Sequence, residues 1–323
     1  MFDVPEKFLS GPFARFDALE AGITARVLEG VQFVRLHDAV YCHREHELTL
    51  ADRIAAARLA LPGEARTTGV TRLQELGLDY GPSSPLHFVV AGDHHLALPG
   101  VFLHRTALMP PADENGVSVE AAFVAYCAQA RVIDAIKVGS MLLHLEWMDV
   151  EMLGSLVAEQ PWRRGCTEAQ WVTEHLNGRC RSLPEVELLT LVNFSRLPEP
   201  DVNPELRDEE GNKVIPDLWF APWRQAVEYE GTHHQEDRLQ YVADIDRYLI
   251  FRRMRAPYLQ VTKERMRRPQ LAMRQVYRAL VEAGYEGPEP EFGELWACLF
   301  RPLRDVVRRK GPRGAVSEPH SAA

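Results

Sequence analysis

The chain has 323 residues, 46% hydrophobic and 26% charged, with a formal net charge of −9. That length allows two domains with their own cores, and the composition is that of an ordinary globular protein. The acidic balance argues against a globally basic nucleic-acid binder, and no apolar run approaches the roughly 20 residues of a membrane helix. The start, Met1-Phe-Asp-Val-Pro-Glu-Lys7, lacks the charged-then-apolar order of a signal peptide. Five cysteines, an odd number without C-x-x-C spacing, indicate neither a disulfide framework nor a zinc knuckle. These features read together as a cytoplasmic protein with no membrane partner.

In chain order, residues 14–41 predict a small winged-helix-like unit. A helix over Phe16–Gly22 would end on its glycine, a second would start at Thr24, and Val31–Tyr41 would form a two-strand wing. A DNA-reading version would offer Thr24, Arg26, Gln32 and Arg35 to the groove; the same unit also serves as a plain packing module. Leu48–Ala60 and Val70–Gly77 predict helices, and Leu86–Val90 and Val101–Arg105 predict strands. Residues 117–159 predict mostly helix. Cys42-His-Arg-Glu-His46 and Asp93-His-His95 read as surface polar residues rather than metal ligands. The run Pro161-Trp-Arg-Arg-Gly165 marks the internal boundary, and a short helical connector follows it.

The chemistry-bearing residues concentrate further on. Ser182-Leu-Pro-Glu185 is a capping box, with proline tolerated in the first turn. Glu209-Glu-Gly-Asn212 predicts a turn into a strand over Val214–Phe220 that carries Asp217 among apolar neighbours. A short Ala221-Pro-Trp-Arg224 link makes Gln225–Glu230 its hairpin partner. Alternation then puts Glu228 and Glu230 on one strand face, with Val227 and Tyr229 facing a core. An unpaired buried carboxylate costs several kcal/mol (about 2–7 for a polar group, more for a charge). Like charges so close repel unless a cation lies between them or one is protonated. Clustered carboxylates are what a hard divalent cation needs. His233 and His234 follow at the strand's end, suited to proton transfer. Gln240 and Asp244 share a helix face, and Asp244 with Arg247 at i, i+3 makes either a surface ion pair or a further reach into the site. Basic residues collect from Arg247 to Arg268, including Arg252, Arg253 and Lys263, and again from Arg301 to Arg313. A basic run of this kind is either a solvated face or a phosphate-backbone contact.

These motifs, in this order, resemble nuclease-like domains related to very-short-patch-repair endonucleases within the PD-(D/E)xK superfamily. The residues that carry the resemblance are Ser182–Glu185 through Leu197-Pro198, Asp217, Glu228-Tyr-Glu-Gly-Thr-His-His234, Gln240-Tyr-Val-Ala-Asp-Ile-Asp-Arg247 and Tyr258–Thr262. Two departures stand out: the usual aspartate after the tyrosine is Glu230, and Glu230 also occupies the place of the motif lysine.

The resemblance implies an α/β, restriction-endonuclease-like domain with a central mixed sheet at 181–285. Before it would come an N-terminal region abortive-infection-antitoxin-like in character, made of a winged-helix-like unit (1–45) and a mixed α/β and helical middle region (46–160), and then a connector (161–180). A basic appendage (286–313) and a disordered tail (314–323) would follow. The implied activity is Mg²⁺- or Mn²⁺-dependent cleavage of DNA. Asp217, Glu228 and Glu230 would hold the metal, Glu185, His234 and Asp244 would assist catalysis, and His233 and Gln240 are secondary candidates. Arg247, Arg252, Arg253 and Lys263 would bind DNA. The alternative is a catalytically degenerate nuclease-fold protein acting as an antitoxin-like or regulatory DNA-binding protein, with a toxin as candidate partner.

Overall fold

The computed structural model describes residues 2–230 and 247–309, and the chain divides into two compact units, Met1–Tyr126 and Cys127–Ala323. It is a mixed α/β protein with several small sheets, antiparallel and mixed. Among the described residues no helix is long and apolar enough to cross a membrane, and all five cysteines are free and buried.

The first unit opens with β1 (Pro12–Ala14), α1 (Arg15–Glu20), α2 (Ala25–Leu28), β2 (Phe33–His37) and β3 (Val40–His43), the strands paired antiparallel in the order β1-β3-β2. Aromatic residues hold this module: Phe13 sits edge-on to Phe8 at 4.8 Å and to Phe33 at 5.6 Å, over Ile23 and Leu28. The helix–helix–hairpin order agrees with the sequence pattern, but α2 spans four residues and the side chain of Thr24 makes no cap bond. Gln32 is bound to the backbone of Phe2 (2.9 Å and 3.2 Å), and Arg35 pairs with Asp38. Of the four candidate groove-reading residues, Thr24 and Arg26 are thus the exposed ones without such a bond. Next come α3 (Leu50–Ala60), β4 (Arg66–Thr67), α4 (Gly69–Glu75), β5 (Leu86–Ala91) and β6 (Val101–Thr106). Ile54, Ala57 and Leu61 pack on Phe88 and Val90 of β5. Thr49 and Asp52 close a complete capping box on α3, and Asp52 also takes His46 at 3.0 Å.

The second unit begins within α5 (Val119–Cys127) and continues with α6 (Val132–His144), α7 (Val150–Glu159), α8 (Cys166–Thr173) and α9 (Leu183–Phe194). Residues 127–160, grouped by sequence with the middle region, thus belong to the unit that carries the acidic motifs. The expected connector is a packed helix: Cys166, Ala169 and Val172 of α8 are buried, and α8 packs against α6 and α7. The strands are β7 (Asp201–Val202), β8 (Leu206–Arg207), β9 (Lys213–Val214), β10 (Leu218–Phe220), β11 (Gln225–Glu230) and β12 (Tyr258–Thr262). Residues 247–253 form the described part of α10, and α11 (Lys263–Met266), α12 (Pro269–Glu282), α13 (Glu294–Cys298) and α14 (Leu303–Arg309) complete the order.

The main sheet runs β12-β11-β10-β7. The β10–β11 hairpin pairs Leu218 with Val227, and its link turns on Arg224 at φ 50°. β12 lies parallel to β11, Glu228 opposite Gln260 and Glu230 opposite Thr262. A parallel neighbour requires a crossover connection, and α10 lies within it. Trp219, Ala226 and Tyr258 share a face and pack with Phe251 and Ala256. Alternation leaves Leu218, Val227 and Val261 for the opposite face, served by α9 and α12, which pack on β11. The stretch read as an appendage is part of this unit. Trp296, Leu299 and Leu303 are buried, and the amides of Ile133 and Val132 bond to the carbonyls of Leu299 (3.0 Å) and Arg301 (3.1 Å).

Candidate functional site

The site lies where the start of α9 meets β10 and β11. Ser182 caps α9 by accepting from the Glu185 amide at 3.3 Å. The Glu185 carboxylate folds back on its own helix start, with Oε1 accepting from Ser182 Oγ (2.9 Å) and Oε2 from the Arg181 amide (2.8 Å) and Asn203 Nδ2 (2.9 Å). The Ser182 half of the expected capping box is formed, but Glu185 accepts from the Arg181 amide and the Ser182 hydroxyl in place of the Ser182 amide, and its carboxylate reaches the site through its charge.

Asp217 immediately precedes β10, and one further step of the β10–β11 register sets it opposite Glu228. Its Oδ2 accepts the Tyr229 amide at 2.7 Å. Burial pushes the Asp217 carboxyl up to about 7, helped by the charges of Glu185 and Glu228, while the Tyr229 amide and Arg247 pull the other way. Cys180, fully buried, is pushed up to about 12 by burial and then by Glu185 and Asp217. Nothing in the cysteine spacing singles this thiol out as a neighbour of the site. Its signal in the sequence is a lone apolar position just ahead of the capping box.

Glu228, 7% exposed on β11, has its charge met by protein groups. Arg247 donates through Nε (2.9 Å) and Nη2 to Oε1, and the Tyr258 hydroxyl donates to Oε2 at 2.6 Å. The same Nη2 reaches the Ile215 carbonyl at 2.6 Å, so the guanidinium bridges the strand and the segment leading into β10. Burial, and then the Glu228 charge, hold the Tyr258 phenol well above its ordinary value. Tyr248, one residue after Arg247, bonds Gln260 at 2.9 Å and stacks edge-on with Tyr258. Arg247, expected as a DNA contact, and Tyr258, expected only as part of a strand, are both partners of Glu228. Glu230 shares the face of Glu228 and is half-buried.

The structure thus brings together Glu185, Asp217, Glu228 and Arg247, with Glu230 two residues along the same strand. Arg253 is drawn elsewhere, to Glu210 (2.8 Å) and Asp208 (3.6 Å). Arg252 and Lys263 are exposed, the latter opening α11 beside exposed Arg265, Arg267 and Arg268. His233, His234, Gln240 and Asp244 lie outside the described residues.

As donors for a metal, the carboxylates have suitable chemistry, since hard oxygens from buried acids suit Mg²⁺ or Mn²⁺. Among the described residues, no three His, Cys, Asp or Glu side chains converge as a ligand set. Asp217 contributes a half-buried acid that, among the described residues, accepts one hydrogen bond, from the Tyr229 amide. Glu228 would have to exchange Arg247 for a metal. No protein-family model matches the chain, and no curated protein does.

Proposed function

We propose that the Cys127–Ala323 unit is a metal-dependent DNA endonuclease with a restriction-endonuclease-like fold, related to the very-short-patch-repair type. One observation carries the reading: three acids, Glu185 on α9, Asp217 just ahead of β10 and Glu228 on β11, share a field around a half-buried Asp217. Gathering like charges away from water is costly unless a cation joins them. The hairpin followed by a parallel strand across a helical connection supports the fold assignment, since it yields the expected central mixed sheet. Residues 1–45 carry the winged-helix-like part of the same proposal.

Asp217 and Glu230 would hold a Mg²⁺ or Mn²⁺ ion together with Glu228 once Glu228 is released. When bound, the ion supplies Lewis-acid activation of water and neutralises charge at phosphorus. Glu185 keeps the field at Asp217 negative while fixing the start of α9. His234, with His233 beside it, would take or give a proton, and Asp244 and Gln240 would assist. Arg252, Lys263 and the exposed arginines of 265–268 present a positive surface to the phosphate backbone. A role in repair or phage defence, a cytoplasmic setting and a toxin partner follow from the resemblance alone.

A second reading, a degenerate nuclease fold used for DNA binding or regulation, is favoured by a specific observation: Glu228 is already satisfied by Arg247 and Tyr258. Cleavage of plasmid, mismatched duplex and single-stranded DNA with Mg²⁺ or Mn²⁺ separates the two. Under the first reading the wild type cuts and Asp217→Ala does not. Metal-independent DNA binding by both proteins, with no cutting by either, establishes the second.

A further inference from the structure

We infer that Arg247 is the resident counter-cation of the acid cluster, competing with a divalent metal for Glu228, so that metal binding and the Arg247–Glu228 pair exclude one another. The inference rests on the metal site proposed above for Asp217, Glu228 and Glu230. Its ground is the placement of one guanidinium. Arg247 gives Nε and Nη2 to a single oxygen of Glu228 and spends Nη2 also on the Ile215 carbonyl. It thereby sits between β11 and the segment that delivers Asp217. A metal shared by Asp217 and Glu228 needs that same space and charge. Tyr258 donates to the other Glu228 oxygen, so a metal approaching Oε1 from the Asp217 side meets the guanidinium first.

The surroundings permit the exchange. The Arg247 side chain is 36% exposed while that of Glu228 is 10% exposed, so the arginine has a route to solvent that the glutamate lacks. Arg247 also opens the described part of α10, beyond which lies the basic series of Arg252, Arg253 and Arg255. A guanidinium released from Glu228 there is placed to take a phosphate oxygen, which it binds in the same forked manner as a carboxylate. One cation leaves Glu228 as another arrives, so the glutamate keeps a counter-cation through the exchange.

The test is Mn²⁺ binding to the full chain by calorimetry and thermal melting, comparing wild type, Arg247→Gln and Tyr258→Phe. Arg247→Gln should melt lower than wild type without metal, yet bind Mn²⁺ about tenfold tighter, the equivalent of removing a competing ion pair of about 1.4 kcal/mol, and gain the larger thermal shift. Tyr258→Phe removes one donor and no charge, so it should show a smaller gain of the same sign and keeps the test alive if Arg247→Gln does not fold. Mn²⁺ binding by wild type that equals or exceeds that of both variants overturns the inference and leaves the metal site standing. Absence of binding by all three proteins removes the metal site and the inference with it. Binding by the variants alone supports the competition and assigns the wild type to the degenerate reading.

Discussion

Replacing Asp217 by Asn isolates the electrostatic cost of the cluster. The amide oxygen can still accept the Tyr229 amide, which donates to Asp217 at 2.7 Å, so the exchange removes an ionisation and little else. Folding raises the Asp217 carboxyl from 3.8 to about 7. Below the unfolded value both states hold the proton and its stabilising contribution is fully present. Above it the unfolded chain releases the proton first, so the contribution falls as pH rises and is gone once the folded carboxyl has ionised. The slope is about 1.4 kcal/mol per pH unit, which sets a ceiling of about 4 kcal/mol across the window. Because Asp217 is partly open to water, a net change of about 2–3 kcal/mol is the figure to test. Urea unfolding in the presence of chelator, followed by tryptophan fluorescence from about pH 4 to about pH 8, gives it directly. Relative to wild type, Asp217→Asn should gain this stability as pH rises. A stability difference that stays constant over the whole range refutes the reasoning, because it leaves Asp217 with the same proton affinity folded and unfolded.

Other substitutions probe the supports of the site. Ser182→Ala removes the α9 cap and should cost about 1 kcal/mol by urea unfolding, with the Glu185 carboxylate losing its Oγ donor. Phe251→Ala empties a fully buried position between α10 and the main sheet. It should cost about 3–5 kcal/mol and raise hydrogen exchange in residues 247–253. Lys263→Ala with Arg267→Ala removes two exposed charges; if both contact phosphates, the slope of log binding constant against log salt should flatten by about 2. An unchanged slope would move the DNA surface elsewhere.

The parts of the site legible in the sequence are those fixed by short-range geometry. Period-two alternation alone placed Glu228 and Glu230 on one face, and a four-residue link was enough to fold Asp217 back beside them. The capping role of Glu185 was equally readable, because Ser182 and Glu185 meet within one helical turn. Other features depend on contacts between distant residues. Helical spacing of Cys166, Ala169 and Val172 signals a buried face, as Trp296, Leu299 and Leu303 do near the other end. Neither stretch says that α6 and its surroundings will cover it. The sequence pattern of a connector and an appendage therefore coincides with stretches that build core.

Arg247 shows why a metal and an arginine are hard to tell apart before the fold is known. Two glutamates on a strand and an aspartate across from them state an electrostatic problem, and any cation solves it. Sequence spacing placed Arg247 and Asp244 on one helix, where a local i, i+3 pair was the inexpensive reading. What decides the partner is the crossover between β11 and β12, which returns the chain beside Glu228 with the guanidinium forward and Tyr258 level with Ala226. The resulting pair is lopsided, with a nearly enclosed carboxylate and a guanidinium open to solvent on one side. Removing the arginine from such a pair costs more than the pair contributes, since the buried acid then keeps its charge without that counter-ion. The acid must stay compensated and the cation is the partner with a way out. The arrangement therefore favours exchange of the cation, whether for a metal or for a proton, over rearrangement of the strand that carries Glu228.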